Sequence, residues 1–177
     1  MKARGRIPRA FIGFLEPRRT ALMIDNPNDA FAQYEAQARL RAELARDVTP
    51  LNKAALFAVL QAAGVQRVTV HFDGAGDSGQ IESIDATAPD ETAAELPDGT
   101  IEIRTPLWDD GSGVQTETMP VRDAIEKLAY DFLEEVHDGW ENEDGAYGEF
   151  VFDVGERTIR LEYNERVMTT SYSEHEF

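Results

Sequence analysis

The 177-residue sequence predicts an α+β domain: a largely antiparallel sheet packed against one long amphipathic helix, with two N-terminal helices ahead of it. Three observations carry that reading. Apolar residues recur at helical spacing as far as Gly64, the period drops to two from Val65, and a sharp helical stripe returns at residues 121–136. Turn-rich links join the strands, so hairpins are expected between them.

Asn26-Pro27 opens the first helix, an N-cap followed by proline at the first helical position; Phe31, Tyr34, Ala38 and Leu44 continue it to Asp47. Thr49-Pro50 repeats the signal and starts a second helix carrying Leu51, Ala55, Val59 and Ala62, with Gly64 as its stop. Val68, Val70 and Phe72 then alternate with Arg67, Thr69 and His71, which makes a half-buried strand. Glycines 74, 76 and 79 form a turn. The returning segment Gln80–Asp85 places Ile81 and Ile84 out of strict alternation, leaving room for a bulge.

Residues 86–98 have no periodicity and read as a solvated loop. Ile101 and Ile103 mark the next strand, and residues 108–113 a loop or wide hairpin turn. Pro120 opens the clearest helix, with Val121, Ile125, Leu128, Ala129, Phe132, Leu133 and Val136 on one face and an end near Gly139. A second glycine-rich acidic loop covers residues 140–148. Phe150, Phe152 and Val154 follow in alternation, return through a hairpin at Gly155-Glu156 to Ile159, Leu161 and Tyr163, and Asn164–Ser173 adds a short edge strand.

Thirty-four acidic residues stand against 17 basic ones, a net charge of −17, and there is no cysteine. Disulfides, thiolate metal sites and cysteine nucleophiles are thereby excluded. No run of ~18 apolar residues is present to span a membrane, and a cytoplasmic protein is expected. The charge is also uneven. Lys2, Arg4, Arg6, Arg9, Arg18 and Arg19 face only Glu16 in residues 1–20, a local charge of +5, so the other 157 residues carry −22. Residues 1–22 therefore read as a basic arm, or as an extension upstream of Met23, attached to a single acidic domain over 23–177. A body of that charge repels phosphate backbones and anionic lipid and favours a cationic partner.

Gly76-Asp77-Ser78-Gly79 reproduces the tetrapeptide around the serine-protease nucleophile. A triad needs a histidine oriented by an acid, and His71, His137 and His175 lie in no such segment. A purely structural role is the leading account of this loop, with Asp77 and Ser78 capping backbone donors. Two functional alternatives remain beside it. Asp73, Asp77, Glu82 and Asp85 together with Glu141 and Asp144 could supply oxygen ligands for calcium or another divalent cation if the two loops meet, although the EF-hand spacing is not matched. Alternatively, Asp73, Asp77, Ser78, Glu82, Trp140, Glu141, Asp144 and Tyr147 present carboxylates and aromatic rings to a basic partner.

The segments Phe72–Glu82 (FDGAGDSGQIE), Ala129–Leu133, His137–Gly148 (HDGWENEDGAYG) and Tyr163-Asn-Glu-Arg166 resemble an uncharacterised bacterial family of small acidic proteins carried on plasmids and integrative elements. The similarity covers about residues 50–170. It implies no activity or cofactor, and its mobile-element setting raises the expectation of an accessory or counter-defence role. The function expected is a non-enzymatic acidic interaction protein that engages a basic, nucleic-acid-binding protein, in the manner of a DNA mimic. The alternative is a hydrolase or cation-binding protein with a carboxylate site between the loops at 73–85 and 139–149.

Overall fold

The computed structural model describes residues 27–107 and 113–177. The expected boundary at residue 22 and Trp108–Ser112 lie outside them. The chain divides into two compact units, residues 1–35 and 36–177. What is described of the first is the opening of a helix; the second holds the core, the sheets and the candidate site.

Helix α1 runs without interruption over Pro27–Ala62, with Pro50 inside it. One helix therefore stands where two were expected. Proline lacks the N–H that would bond to the carbonyl of residue 46, and costs a helix interior about 3 kcal/mol. Burial on both sides outweighs that cost. Val48 precedes Pro50, and Leu56, Phe57 and Leu60 follow it at no more than 1% exposure; each such side chain contributes roughly 1.5–3 kcal/mol. Pro50 itself is exposed, so water can reach the carbonyl it leaves unbonded.

Strand β1 covers Arg67–Thr87, 21 residues in continuous strand conformation. A straight strand of that length would hold its ends about 65–70 Å apart. Yet Gln66 N donates to Thr87 O at 2.8 Å, so the ends adjoin and β1 must double back. The midpoint is Gly76-Asp77. Gly76 has φ of +79° while Asp77 is not among the positive-φ residues, which is what a two-residue hairpin with glycine at its first central position requires. The glycine turn read from the sequence is thus present as the tip of β1. Neither Asp77 nor Ser78, however, makes a side-chain hydrogen bond among the described residues, so the expected capping role is not found there.

Strand β2 is the pair Ala93–Ala94, joined to Ala86 and Thr87 across a turn inside the expected loop. Asp90 holds that turn by accepting from the Thr92 N–H and hydroxyl, which lowers its pKa from the usual carboxylate value. Strands β3 (Thr100–Pro106) and β4 (Val114–Pro120) form a separate antiparallel hairpin, closed by Leu107 N donating to Gly113 O. Helix α2 spans Val121–Val136 and buries Val121, Ala124, Ile125, Leu128, Ala129 and Leu133, the face expected from the stripe. At 16 residues it is the shorter helix, and Val136 is exposed.

Strands β5 (Asn142–Asp153) and β6 (Thr158–Glu165) complete an antiparallel sheet of order β2-β1-β5-β6. Residues expected to form the second acidic loop are mostly strand: Gly76 pairs with Glu143 and Asp77 with Asn142, past a bulge between Gly74 and Gly76. Cross-strand rows build the core, Val68 with Phe152 and Ile159, then Val70 with Phe150 and Leu161. In the next row Gly148 stands between Phe72 and Tyr163. Its missing side chain lets those two rings stack, centroids 6.2 Å apart. No strand follows over 166–177, contrary to the expected edge strand at Asn164–Ser173. Among the described residues all the pairings are antiparallel and two helices accompany them, an α+β arrangement. No helix among the described residues is long and apolar enough to cross a membrane.

Candidate functional site: an acidic cleft over stacked aromatic rings

The site forms where α2 ends, β5 begins and β6 finishes. His137 closes α2, its N–H donating to Leu133 O at 2.7 Å. Gly139, at φ of +73°, turns the chain, and Trp140 folds inward to 7% exposure. Its indole meets Phe72 edge-on at 5.3 Å. It also lies directly over the backbone of Gly74 and Gly79, where an added Cβ at either position would collide with the ring. Those glycines, from opposite halves of β1, are the seat of one tryptophan. At that burial Trp140 is a core anchor, the commoner role of a tryptophan beside a loop.

Arg166 clamps the far side of the same region. Nη2 donates to Asp73 Oδ2 at 2.7 Å, Nη1 donates to Gly74 O at 2.7 Å and to Ala146 O at 3.3 Å, and the guanidinium carbon lies 4.8 Å from the centre of the Tyr147 ring. Asp144 accepts from Met168 N at 2.6 Å. Asp73, Asp144 and Tyr147 are therefore engaged within the chain, holding the segment after β6 against the sheet. Both partners of the Arg166–Asp73 pair are partly exposed, so the pair acts mainly by fixing geometry.

Between these anchors opens a cleft of about 680 Å³. His137 and Tyr163 form part of its lining, their rings parallel and 3.6 Å apart. Asp138, Glu143, Asp144 and Glu165 supply carboxylates, and Val167 and Met168 add apolar surface that is more than three-quarters exposed. Arg166 is the one Lys or Arg in the lining, and it is already held by Asp73. Burial, and then the charge of Glu165, push the Tyr163 hydroxyl pKa above its usual value. Chemically the cleft offers anionic oxygens around aromatic faces, suited to a cationic side chain and poorly suited to phosphate.

The two segments singled out in the sequence do meet, as paired strands. Trp140 and Asp144 line the cleft, and Asp73 acts behind it through Arg166. Asp77, Ser78, Glu82, Glu141 and Tyr147 are not part of its lining; Asp77, Ser78 and Glu82 are exposed, and Glu82 accepts from Gln80. Among the described residues no three His, Asp or Glu side chains converge to hold a metal ion. Sequence reasoning passed over His137, Asp138, Glu143, Tyr163 and Glu165 as site residues. Their signal lay in two of the segments quoted above, His137–Gly148 and Tyr163–Arg166, which pairing brings together.

A family profile matches residues 48–177, from the second half of α1 to the C-terminus. The chain belongs to DUF6878, a family of unknown function. The match fits the expectation of an uncharacterised domain and contains the whole cleft. No curated protein and no solved structure matches the chain.

Proposed function

We propose that this protein is a non-enzymatic, acidic interaction protein that takes a basic protein partner into the cleft between His137 and Met168. The supporting observation is the lining itself: four carboxylates around the His137–Tyr163 stack, with the one arginine already neutralised. A lysine or arginine side chain entering there would gain ion pairing and contact with an aromatic face together. Charge elsewhere supports the same reading. The −22 body has 11 basic residues for 33 acidic ones, so pairing each base with one acid still leaves 22 carboxylates to draw a cationic surface inward. A partner that normally binds nucleic acid offers such a surface, and the protein would occupy it as a phosphate array does, an accessory role consistent with the mobile-element setting of the family it resembles.

The test is capture from lysate at low salt followed by stepwise salt elution. Basic proteins should elute at moderate salt, and a variant carrying Asp138→Asn, Glu143→Gln and Glu165→Gln should retain them less well while folding normally. Recovery of only neutral or acidic proteins, or equal retention by the variant, would sink the proposal.

A further inference from the structure

We infer that the outer edge of β6 is a self-association surface, and that a second copy of this chain adds across it in antiparallel register centred on Leu161. Three features of the edge point there. First, it is open: among the described residues no backbone hydrogen bond from outside the sheet reaches Thr158–Glu165, and β6 pairs with β5 alone. Edge strands left in this state present a row of unpaired N–H and C=O groups.

Second, the other edges are guarded and this one is not. Strand β2 is two residues long. On β3 the outward N–H and C=O of Arg104 are both bonded by the side-chain amide of Asn52. Strand β4 is polar and exposed through most of its length and ends in Pro120. On the second half of β1 the Ile81 N–H is taken by the Tyr130 hydroxyl. By contrast β6 has eight residues with no proline and no break in its pairing register. Its core-facing residues Ile159, Leu161 and Tyr163 are only half-buried, as expected of a row that lacks a neighbour on one side.

Third, the sequence of β6 is self-complementary in one register. Side chains directly opposite in an antiparallel pair share a face, so a symmetric pairing that keeps both cores on the same side must centre on a residue. Centring on Arg160 sets arginine against arginine, and centring on Glu162 sets glutamate against glutamate. Centring on Leu161 places Arg160 opposite the second copy's Glu162 and Glu162 opposite its Arg160, with Leu161 against Leu161 and Ile159 against Tyr163 on the apolar face. Within one chain Arg160 and Glu162 already lie 2.9 Å apart on the open face, both exposed and available for that exchange. The net charge of each body opposes association, but that repulsion is long-ranged and is screened as the Debye length falls from ~8 Å at 0.15 M salt to ~3 Å at 1 M.

Sedimentation velocity on the full chain tests this. Wild type should form dimers that strengthen with salt, the opposite of the trend expected for the basic partner, so failure of one reading leaves the other standing. Arg160→Glu places four glutamates about the axis and Glu162→Arg four arginines; each alone should self-associate at least ~10-fold more weakly. Mixing those two variants should restore a heterodimer, and the double swap Arg160→Glu with Glu162→Arg should restore the homodimer. A wild type that stays monomeric at every salt concentration, or dimers indifferent to the single swaps, would overturn the inference.

Discussion

Asn52 is 3% exposed and its amide bonds twice to one residue of β3: Nδ2 donates to Arg104 O at 2.8 Å and Oδ1 accepts from Arg104 N at 2.9 Å. The amide thus occupies the place of a peptide from a missing neighbouring strand. Asn52→Ala removes both bonds and leaves two backbone groups to find water. An orphaned buried group costs about 1–3 kcal/mol. Arg104 is partly exposed, so water recovers some of that, and a net loss of about 2–3 kcal/mol is expected, cavity included. With a urea m-value of ~2 kcal/mol/M, the unfolding midpoint should fall by roughly 1–1.5 M. Asn52→Asp should be worse than its size suggests, because a carboxylate oxygen would then face the Arg104 carbonyl in a buried site. Circular dichroism against urea reads both. An Asn52→Ala midpoint within experimental error of wild type, or an Asn52→Asp protein as stable as wild type, would refute the edge-capping role.

Other perturbations follow from the same contacts. Gly79→Ala should destabilise by about 1–3 kcal/mol through overpacking against the Trp140 indole and shift Trp140 emission; an unchanged emission and midpoint would show the seat to be looser than described. Arg166→Ala should loosen the segment after β6, and Arg166→Lys should recover little, since an ammonium cannot span Asp73 and two carbonyls with one fixed fork; faster amide hydrogen exchange at Met168 is the readout. Tyr163 has a pKa raised by burial and by Glu165, so its neutral form is favoured in the folded state. Its contribution is complete below the unfolded tyrosine pKa of ~10 and is lost as pH rises through the higher folded value. Tyr163→Phe should therefore flatten the alkaline limb of the stability profile, measured by urea midpoints, and an unaltered limb would assign that limb to other groups.

The legible parts of this fold are those where local pattern and tertiary packing agree. The α2 stripe buries Val121, Ile125, Leu128, Ala129 and Leu133, and the rows Val68-Val70-Phe72 of β1 and Phe150-Phe152 of β5 are buried as their alternation selects. Pro50 misled because a helix break is a local preference of a few kcal/mol, while residues that overrule it, Leu56, Phe57 and Leu60, are buried in a core shared with elements distant in sequence. Gly74 and Gly79 were legible as turn residues, but what fills the space they leave is Trp140, some 60 residues on, and no local pattern links the three. The cleft was half-legible: the two segments do pair, yet Asp73 and Asp144 turn out to satisfy Arg166 and the Met168 N–H, while the open carboxylates lie at Asp138, Glu143 and Glu165. Acidity alone could not separate carboxylates already spoken for from those facing solvent.

The reversal inside β1 also predicts an order of assembly. Its two halves meet through contacts spanning at most about 20 residues, and hairpins of that kind close in ~1–10 μs. The partner strand β5 must instead return from beyond β3, β4 and α2 to align Asp153 with Arg67, a distant contact whose chain-closure entropy makes it slow. The doubled β1 can therefore stand as a template before β5 arrives, and its tip, where Asp77 meets Asn142, is the place for zipping to begin. Refolding should then be slowed by Gly76→Ala more than unfolding is quickened, and stopped-flow kinetics showing the reverse would place β5 docking ahead of the turn.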